Sequence, residues 1–199
     1  MSDTPPALAL HLVVAADENN VIGRDGGVPW HYPEDVRQYK ARIAGHPVIL
    51  GRRTFDSMES LDDCYTVVLT SDESLSADAE NVAYVTTPRA AVEAAARAAE
   101  SGGFGTAEDA AAERDSDAPT ARGDESRTPV AYVIGGEAVY DLFLPFAEKV
   151  FLSRIRERNE GDRYFPDLGD DWTEVDRKSY DGFDVIEYVQ DSPRAFEDL

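Results

Sequence analysis

The chain has little positive charge. Among its 199 residues, 19 lysines and arginines stand against 40 aspartates and glutamates, for a formal net charge of −21. The lysines are only Lys40, Lys149 and Lys178, so nearly all of the positive charge is arginine. A basic stripe that could bind nucleic-acid phosphates is missing, and we expect no nucleic-acid partner.

The acidic excess is spread along almost the whole sequence. In concentrated salt the Debye length falls to about 3 Å, so like charges on a surface no longer repel one another at range. In dilute buffer the same charges loosen a compact fold. Adaptation to salt explains this composition better than an acidic disordered tail or a basic partner, which stay open as alternatives.

Cysteines and long hydrophobic runs are also scarce. The single cysteine, Cys64, excludes an internal disulfide and is typical of a reducing compartment. No stretch approaches the roughly 18 apolar residues of a membrane span, and Met1–Pro6 lacks the positive charge of a signal peptide. We expect a cytoplasmic protein of one domain without membrane contact. The oligomeric state is not readable, although a monomer is slightly favoured.

Short apolar runs alternate with helical segments over the first 150 residues. Strands are predicted at 8–16, 47–50, 66–69, 81–85 and 130–134, and helices at 33–44, after 51, at 89–99 and from 137 to 146. The last third predicts strands at 149–156, 172–179 and 183–190, the last two joined by an Asp-Gly turn. This order predicts an α/β fold, an open and mostly parallel twisted sheet with helices on both faces and an antiparallel C-terminal hairpin.

Residues 101–127 interrupt the alternation. The segment consists mainly of Gly, Ala, Asp, Glu, Ser and Thr, and Phe104 is its only bulky apolar residue. Such a segment cannot bury enough surface to order itself, so we expect a flexible acidic insertion. A lid or a docking segment is the functional alternative.

A glycine-rich loop leads into the helix predicted at 33–44, and Asp35 lies in that helix's first turn. Val36, Tyr39, Lys40 and Ile43 follow at spacings of three and four, which predicts an inward face on which Asp35 is partly buried. Burial raises the pKa of a carboxyl group and makes it a candidate proton donor. Spacing alone does not separate this role from that of an acid favoured by the helix dipole.

Two strand-to-helix turns offer sites for phosphate. Gly51-Arg52-Arg53-Thr54 combines backbone N–H groups at a helix start with two arginines and a hydroxyl. Thr70 and Ser71 end the next strand and offer further hydroxyls, while ion pairs with neighbouring acids are the alternative for the arginines. The Gly135–Gly136 turn lets a ligand approach the backbone, but it is not the glycine pattern of the usual dinucleotide fold.

Taken together, these motifs resemble dihydrofolate reductases. The matching residues, in the family's order and spacing, are Asn19–Gly23, Pro29–Trp30 with Asp35, Gly51–Phe55, Val133–Gly136, Val139–Tyr140, Glu160–Asp162 and Phe165–Pro166. The resemblance covers about Leu8 to Val189 and is interrupted by the insertion.

The resemblance implies reduction of 7,8-dihydrofolate to tetrahydrofolate with NADPH, in support of one-carbon and thymidylate metabolism. The position of Asp35 then binds N3 and the 2-amino group of the pterin and helps to deliver a proton to N5, while NADPH gives its hydride to C6. Trp30 and Ser153 match positions that order a water molecule and a hydroxyl around that acid. No metal is implied.

The resemblance also implies the residues of both binding sites. NADPH would contact Ala15, Ile22, Gly23, Gly51, Arg52, Arg53, Thr54, Thr70, Ser71, Ile134, Gly135, Gly136, Glu137, Ala138, Val139 and Tyr140. The substrate cleft would be formed by Val13, Asp35, Val36, Tyr39, Lys40, Met58, Leu61 and Ile134. Core packing explains the apolar members equally well.

One position departs from the family pattern. An arginine that pairs with the substrate's glutamate tail is common in the family, and Cys64 stands in its place next to Asp62 and Asp63. A thiol cannot form a bidentate bond with a carboxylate. Three explanations stay open. Another base such as Lys40 takes over the role of the arginine, the substrate's tail is weakly held, or the natural pterin has a different tail.

Two other functions remain as alternatives. The first is an NADPH-dependent reductase of a phosphoribosylamino-pyrimidine in riboflavin synthesis, which shares the fold but needs a basic cluster for a substrate phosphate. The second is a pterin-binding relative that has lost turnover. Trp30 and Asp35 favour the pterin enzyme over the first. The missing tail arginine is the best evidence for the second, but the presence of both Asp35 and the nicotinamide-side motif speaks against it.

Overall fold

The structure is a computed structural model that describes residues 8–58, 61–76, 80–101 and 128–199. The expected insertion lies outside these residues, except for Ser101 at the end of a helix. In order, the strands and helices are β1 (Ala9–Asp17), β2 (Val21–Gly23), α1 (Pro33–Ile43), β3 (Pro47–Gly51), α2 (Arg52–Ser57), β4 (Tyr65–Leu69), β5 (Val82–Val85), α3 (Pro88–Ser101), β6 (Val130–Gly135), α4 (Glu137–Phe143), β7 (Lys149–Ile155), β8 (Arg163–Tyr164), β9 (Trp172–Ser179) and β10 (Phe183–Gln190). Short 3₁₀ helices cover Leu144–Phe146 and Phe196–Asp198.

Eight strands form one sheet in the order β5-β4-β3-β6-β1-β7-β10-β9. All pairs from β5 to β7 are parallel, whereas β10 runs antiparallel to both β7 and β9. The predicted fold class is confirmed, including the C-terminal hairpin. The carboxyl ends of β1, β3, β6 and β7 therefore meet at one edge, where ligands bind in open sheets of this kind.

The strand β1 separates two hydrophobic clusters because its side chains alternate between the faces of the sheet. Leu12 and Val14 pack with α3 and α4 on one face, whereas Val13 packs with Ile43 of α1 and partly buried Phe55 of α2 on the other. Helices thus cover both faces, as the alternation of strands and helices predicted. No helix in the described ranges is long and apolar enough to span a membrane.

Two short strands, β2 and β8, were not predicted. They form a separate antiparallel pair in which Val21 lies opposite Tyr164 and Gly23 opposite Arg163. Strands of two or three residues are too short to show an alternating pattern. Their pairing also joins segments that lie far apart in the sequence, so only the folded chain reveals it.

Candidate active site

Asp35 is buried in the first turn of α1, with 9% of its surface exposed. The loss of hydration raises the pKa of its carboxyl group, and a hydrogen bond with the Ser153 side chain partly opposes that shift. Ser153 belongs to β7 and lies beside Ala15 of β1 in the sheet. The structure therefore places the Asp35 side chain against Ser153 near the carboxyl end of β7, with Ala15 next to Ser153 in the sheet.

The predicted inward face of α1 is partly wrong. Asp35 and Ile43 are its buried residues, with Tyr39 partly buried between them, whereas Lys40 is exposed and Val36 is 46% exposed. At about 100° per residue, Val36 and Lys40 project away from the centre of the face that Asp35 and Tyr39 share. Val36 is therefore not a core residue.

Tyr140 ties the glycine turn of β6 to the central strand. Its hydroxyl donates a 2.8 Å hydrogen bond to the backbone oxygen of Val13, and its ring is buried. Gly135 has φ of +116°, and a Cβ atom there would lie 3.2 Å from the Tyr140 ring. A side chain at this position would therefore strain both the backbone and the packing.

The two strand-to-helix turns singled out by the sequence lie against each other. A Cβ atom on Gly136 would lie 3.0 Å from Thr54 Oγ1, and one on Gly51 would lie 3.1 Å from Val139 Cγ2. Both turns thus present bare backbone beside a hydroxyl group. This cradle, formed by Gly51, Thr54, Gly135 and Gly136, suits a bulky anionic ligand that must approach the main chain closely.

Two exposed arginines extend the cradle. Arg52 forms a 3.5 Å ion pair with Asp56, in which both side chains are about half exposed, and Arg53 is exposed beside it. An exposed pair of this kind contributes about 0.2–1 kcal/mol, so a phosphate can readily replace Asp56 as the partner. Arg52 therefore forms the ion pair that the alternative predicted, and it is still available to bind a phosphate. The helix α2 has only six residues, which leaves the arginine side chains as the main source of positive charge.

The two hydroxyl residues that follow β4, Thr70 and Ser71, differ in their surroundings. Thr70 Oγ1 accepts a 3.1 Å hydrogen bond from the backbone N–H of Asp72, and Ser71 is exposed. Asp72 is close enough to Arg52 for the positive charge to lower the pKa of its carboxyl group, after the larger effect of two hydrogen bonds from Ser74. These residues thus lie at the same edge of the sheet as the arginines.

The other residues predicted to contact the cofactor lie in and after the glycine turn at the end of β6. Ala138 is exposed at the start of α4, and Ile134 is buried under the turn. The Glu137 carboxylate instead accepts a 3.0 Å hydrogen bond from the backbone N–H of Tyr164 in β8. Its side chain therefore secures β8, which in turn holds β2 with Ile22 and Gly23.

The predicted walls of the substrate cleft lie in the cluster on the α1 face. Val13 and Ile134 are buried there, with partly buried Tyr39, Met58 and Leu61 packed against them. Trp30 is half-buried in the loop that precedes α1. These apolar surfaces and the carboxyl group of Asp35 suit a flat aromatic ring that carries polar groups along one edge.

Cys64 is a buried packing residue. Only 2% of its surface is exposed, its thiol lies 3.4 Å from the backbone oxygen of Ile43, and burial raises its pKa to about 11. The thiol is therefore neutral near pH 7 and contributes no charge to a ligand. Asp62 and Asp63 beside it are exposed.

Sequence reasoning missed two polar contacts around the site. Asp17 was not among the predicted site residues, yet its carboxylate is fully buried and accepts hydrogen bonds from three backbone N–H groups. Tyr32, at the start of α1, donates a 2.6 Å hydrogen bond to Glu157 in the segment after β7. An acid at the end of a long buried strand was the one available signal for Asp17. Glu157 lies 125 residues from Tyr32, and Asn159 lies 142 residues from Asp17, so the sequence does not indicate either of these partners.

The described residues contain no group of three or more His, Cys, Asp or Glu side chains that could hold a metal ion. They do fit NADPH. The glycine cradle lets phosphates reach the backbone, and the arginines supply positive charge.

Comparison with known proteins points in the same direction. The family model for dihydrofolate reductase matches residues 9–189. The chain is 69% identical to dihydrofolate reductase 1 of Haloarcula marismortui over 98% of each chain. It is 37% identical to dihydrofolate reductase HdrB of Haloferax volcanii, over 95% of this chain and 87% of that protein.

A solved structure shares the fold. The dihydrofolate reductase from Enterococcus faecalis complexed with NADP(H) and RAB-propyl superimposes with a TM-score of 0.70 at 24% identity. The match covers 92% of this chain and 97% of that chain.

Proposed function

Since this chain belongs to the dihydrofolate reductase family and reduces dihydrofolate with NADPH, we propose that Asp35 is the residue that holds and protonates the pterin ring. The observation that carries the proposal is the buried position of its carboxyl group beside Ser153. A carboxyl group with a raised pKa keeps its proton closer to neutral pH, where it serves as a general acid.

The substrate end of the site then works as follows. Asp35 binds N3 and the 2-amino group of the pterin, which form a planar pair of donors that becomes charge-assisted as the ring takes up a proton. Ser153 orients the carboxyl group, and Trp30 orders a water molecule beside it. The proton that reaches N5 enters through this polar edge, while Val13, Val36, Tyr39, Met58, Leu61 and Ile134 contact the apolar faces of the substrate.

The cofactor end lies at the neighbouring strand ends. When bound, NADPH supplies the hydride that is added to C6 of the pterin. Arg52, Arg53, Thr54, Thr70 and Ser71 bind its phosphates, including the 2′-phosphate. The turn from Ile134 to Tyr140 borders the pyrophosphate and the nicotinamide, and Ala15, Ile22 and Gly23 form the nicotinamide side.

We further propose that the glutamate tail of the substrate is weakly held. The usual arginine is replaced by Cys64, whose thiol is buried and neutral, and the exposed neighbours Asp62 and Asp63 repel a carboxylate. Lys40 is exposed on α1 and is the remaining base that the sequence offered for this role.

The test follows NADPH oxidation in molar KCl, with dihydrofolate and then with a dihydropterin that lacks the tail. We expect turnover with both and closely similar kcat/KM values. A kcat/KM at least 100-fold lower for the tail-less substrate would show that the tail is anchored after all. Absence of NADPH oxidation with either substrate would overturn the proposed function itself.

The protein is expected to act in the cytoplasm, without a nucleic-acid or membrane partner. Its oligomeric state is not readable from the sequence, which slightly favours a monomer. The small number of basic residues supports the absence of a nucleic-acid partner, as argued from the net charge of −21. The whole of residues 1–199 is proposed to form one domain with the 101–127 segment as an insertion.

A further inference from the structure

Asp17 ends β1 and exposes 0% of its surface, yet the mechanism does not use it. Its Oδ1 atom accepts hydrogen bonds from the backbone N–H groups of Asn19 at 2.8 Å and Val21 at 3.0 Å. Its Oδ2 atom accepts one from the backbone N–H of Asn159 at 2.5 Å. One buried carboxylate therefore joins the turn between β1 and β2 to a segment that lies 142 residues further along the chain.

A buried carboxylate is costly unless hydrogen bonds replace its hydration. The three backbone donors do so and fix the positions of the groups that supply them. A carboxylate suits this geometry because both of its oxygens accept and neither donates. An asparagine here would turn an N–H group towards one of the backbone donors, so at least one of the three bonds would be lost.

The same turn is held from a second side by Arg154 of β7. Arg154 Nη1 donates to the backbone oxygen of Asp17 at 2.5 Å and to Asn20 Oδ1 at 2.7 Å. The backbone oxygen of Asn20 accepts a 2.8 Å hydrogen bond from Phe165. The turn from Asp17 to Asn20 is therefore bonded to three other parts of the fold, at Asn159, Arg154 and Phe165.

The bond from Val21 carries this constraint into β2, because Val21 is the first residue of that strand. At the other end of β2, the backbone oxygen of Gly23 accepts a 3.1 Å hydrogen bond from Asp162. Between them, Gly161 lies so close to Val21 that a Cβ atom would overlap the valine side chain. Ile22 is thus supported at both ends of its strand, and its side chain packs against the cluster on the α3 face.

We propose that Asp17 is a positioning residue for the cofactor end of the site. Its carboxylate fixes β2 against the segment after β7 and thereby places Ile22 and Gly23 against the nicotinamide end of NADPH. This inference rests on the proposed placement of NADPH. Asp17 lies outside both binding sites and contacts no ligand, but we expect it to affect cofactor binding through the position of β2.

The test compares Asp17→Asn with Asp176→Asn in the full chain at molar KCl. Asp176 is exposed in β9, so the control makes the same change in net charge far from β2. For Asp17→Asn we expect the Kd for NADPH to rise about tenfold, equivalent to about 1.4 kcal/mol, and single-turnover hydride transfer to slow by a similar factor. The Kd for dihydrofolate in the absence of NADPH stays within about twofold of the original protein.

The control variant is expected to match the original protein in all three measurements. If Asp17→Asn lowers the melting temperature but leaves the Kd for NADPH and the hydride rate unchanged, Asp17 is only a structural residue and the inference is wrong. If the original protein itself does not bind NADPH, the proposed function fails first, and the inference fails with it.

A second measurement avoids the variant, in case Asp17→Asn does not fold. Amide hydrogen exchange of the original protein is recorded with and without saturating NADPH. Binding is expected to slow exchange at the three donors to Asp17, the amides of Asn19, Val21 and Asn159, more than at amides of the β9–β10 hairpin. Equal effects in both regions would overturn the positioning role, because the turn would then not respond to the cofactor.

Discussion

Asp17 and Asp35 are both buried aspartates at the carboxyl edge of the same sheet, but their surroundings differ. Three backbone N–H groups surround Asp17, whereas Asp35 has burial and one side-chain hydroxyl, that of Ser153. Backbone donors cannot move away without unfolding the turn, so Asp17 fixes structure. A single hydroxyl leaves most of the Asp35 carboxyl group available to a ligand, and burial raises its pKa. The same residue type is thus proposed to position the chain in one place and to transfer a proton in the other.

The largest expected effect is on the rate of hydride transfer, which should depend on Asp35 far more than on Asp17. Asp35→Asn removes the ionisable group, and we expect hydride transfer near pH 7 to fall by about 10²- to 10⁴-fold, the usual contribution of a general acid. The rate should recover partly at low pH, where the substrate carries its own proton. The measurement is single-turnover oxidation of NADPH across pH. An unchanged rate at pH 7 would remove Asp35 from the mechanism.

The next largest effect is on the free energy of unfolding, which should depend on Asp17 more than on Asp35. Asp17→Asn leaves at least one buried backbone N–H without an acceptor, which lowers the free energy of unfolding by about 1–3 kcal/mol. Asp35→Asn is not expected to destabilise the protein at pH 7. Because folding raises the pKa of Asp35, this group contributes most to stability at low pH. That contribution is lost as pH rises from the ordinary carboxyl value through the folded pKa.

Denaturant titrations of both variants in molar KCl at pH 7 measure this difference. The Asp176→Asn variant provides the reference for loss of one negative charge from the surface. If Asp35→Asn costs as much stability as Asp17→Asn, the carboxyl group of Asp35 has structural partners that the comparison omits.

A smaller effect is expected from Ser153→Ala. The Ser153 hydroxyl stabilises the charged form of Asp35 and opposes the effect of burial. Its loss should raise the pKa of Asp35 further and move the high-pH limb of the hydride-transfer profile upward, by up to about one pH unit. The pH profile of the variant, compared with that of the original protein, measures the shift. Movement of the limb to lower pH would show that Ser153 acts in another way.

The salt concentration should have almost no effect on the difference in stability between the Asp17 and Asp35 variants. Lowering KCl from molar to millimolar concentration removes the screening of a chain with net charge −21, so every variant is expected to loosen and lose activity. Both aspartates are buried, and the difference in unfolding midpoint between their variants should therefore persist until the proteins unfold. Full activity of the original protein in dilute buffer would contradict the proposed salt adaptation.

The sequence determined much of this protein. Period and composition predicted every strand of the eight-stranded sheet and the four α-helices that the described residues form, because buried parallel strands leave apolar runs and capped helices leave proline and glycine at their ends. The ordered motifs placed Asp35 and the two glycine turns in one site, and the structure brings these elements to one edge. Their roles in binding and catalysis stay predictions.

Only the tertiary structure decided which polar groups hold that edge together. Nothing near Asp17 in the sequence indicates Asn159, and the pairing of β2 with β8 joins segments too short to show a pattern. The exposure of Val36 likewise depends on how α1 is rotated against the sheet, which spacing along one helix does not fix. Local sequence specifies local structure, whereas contacts between distant segments depend on the packing of the whole chain.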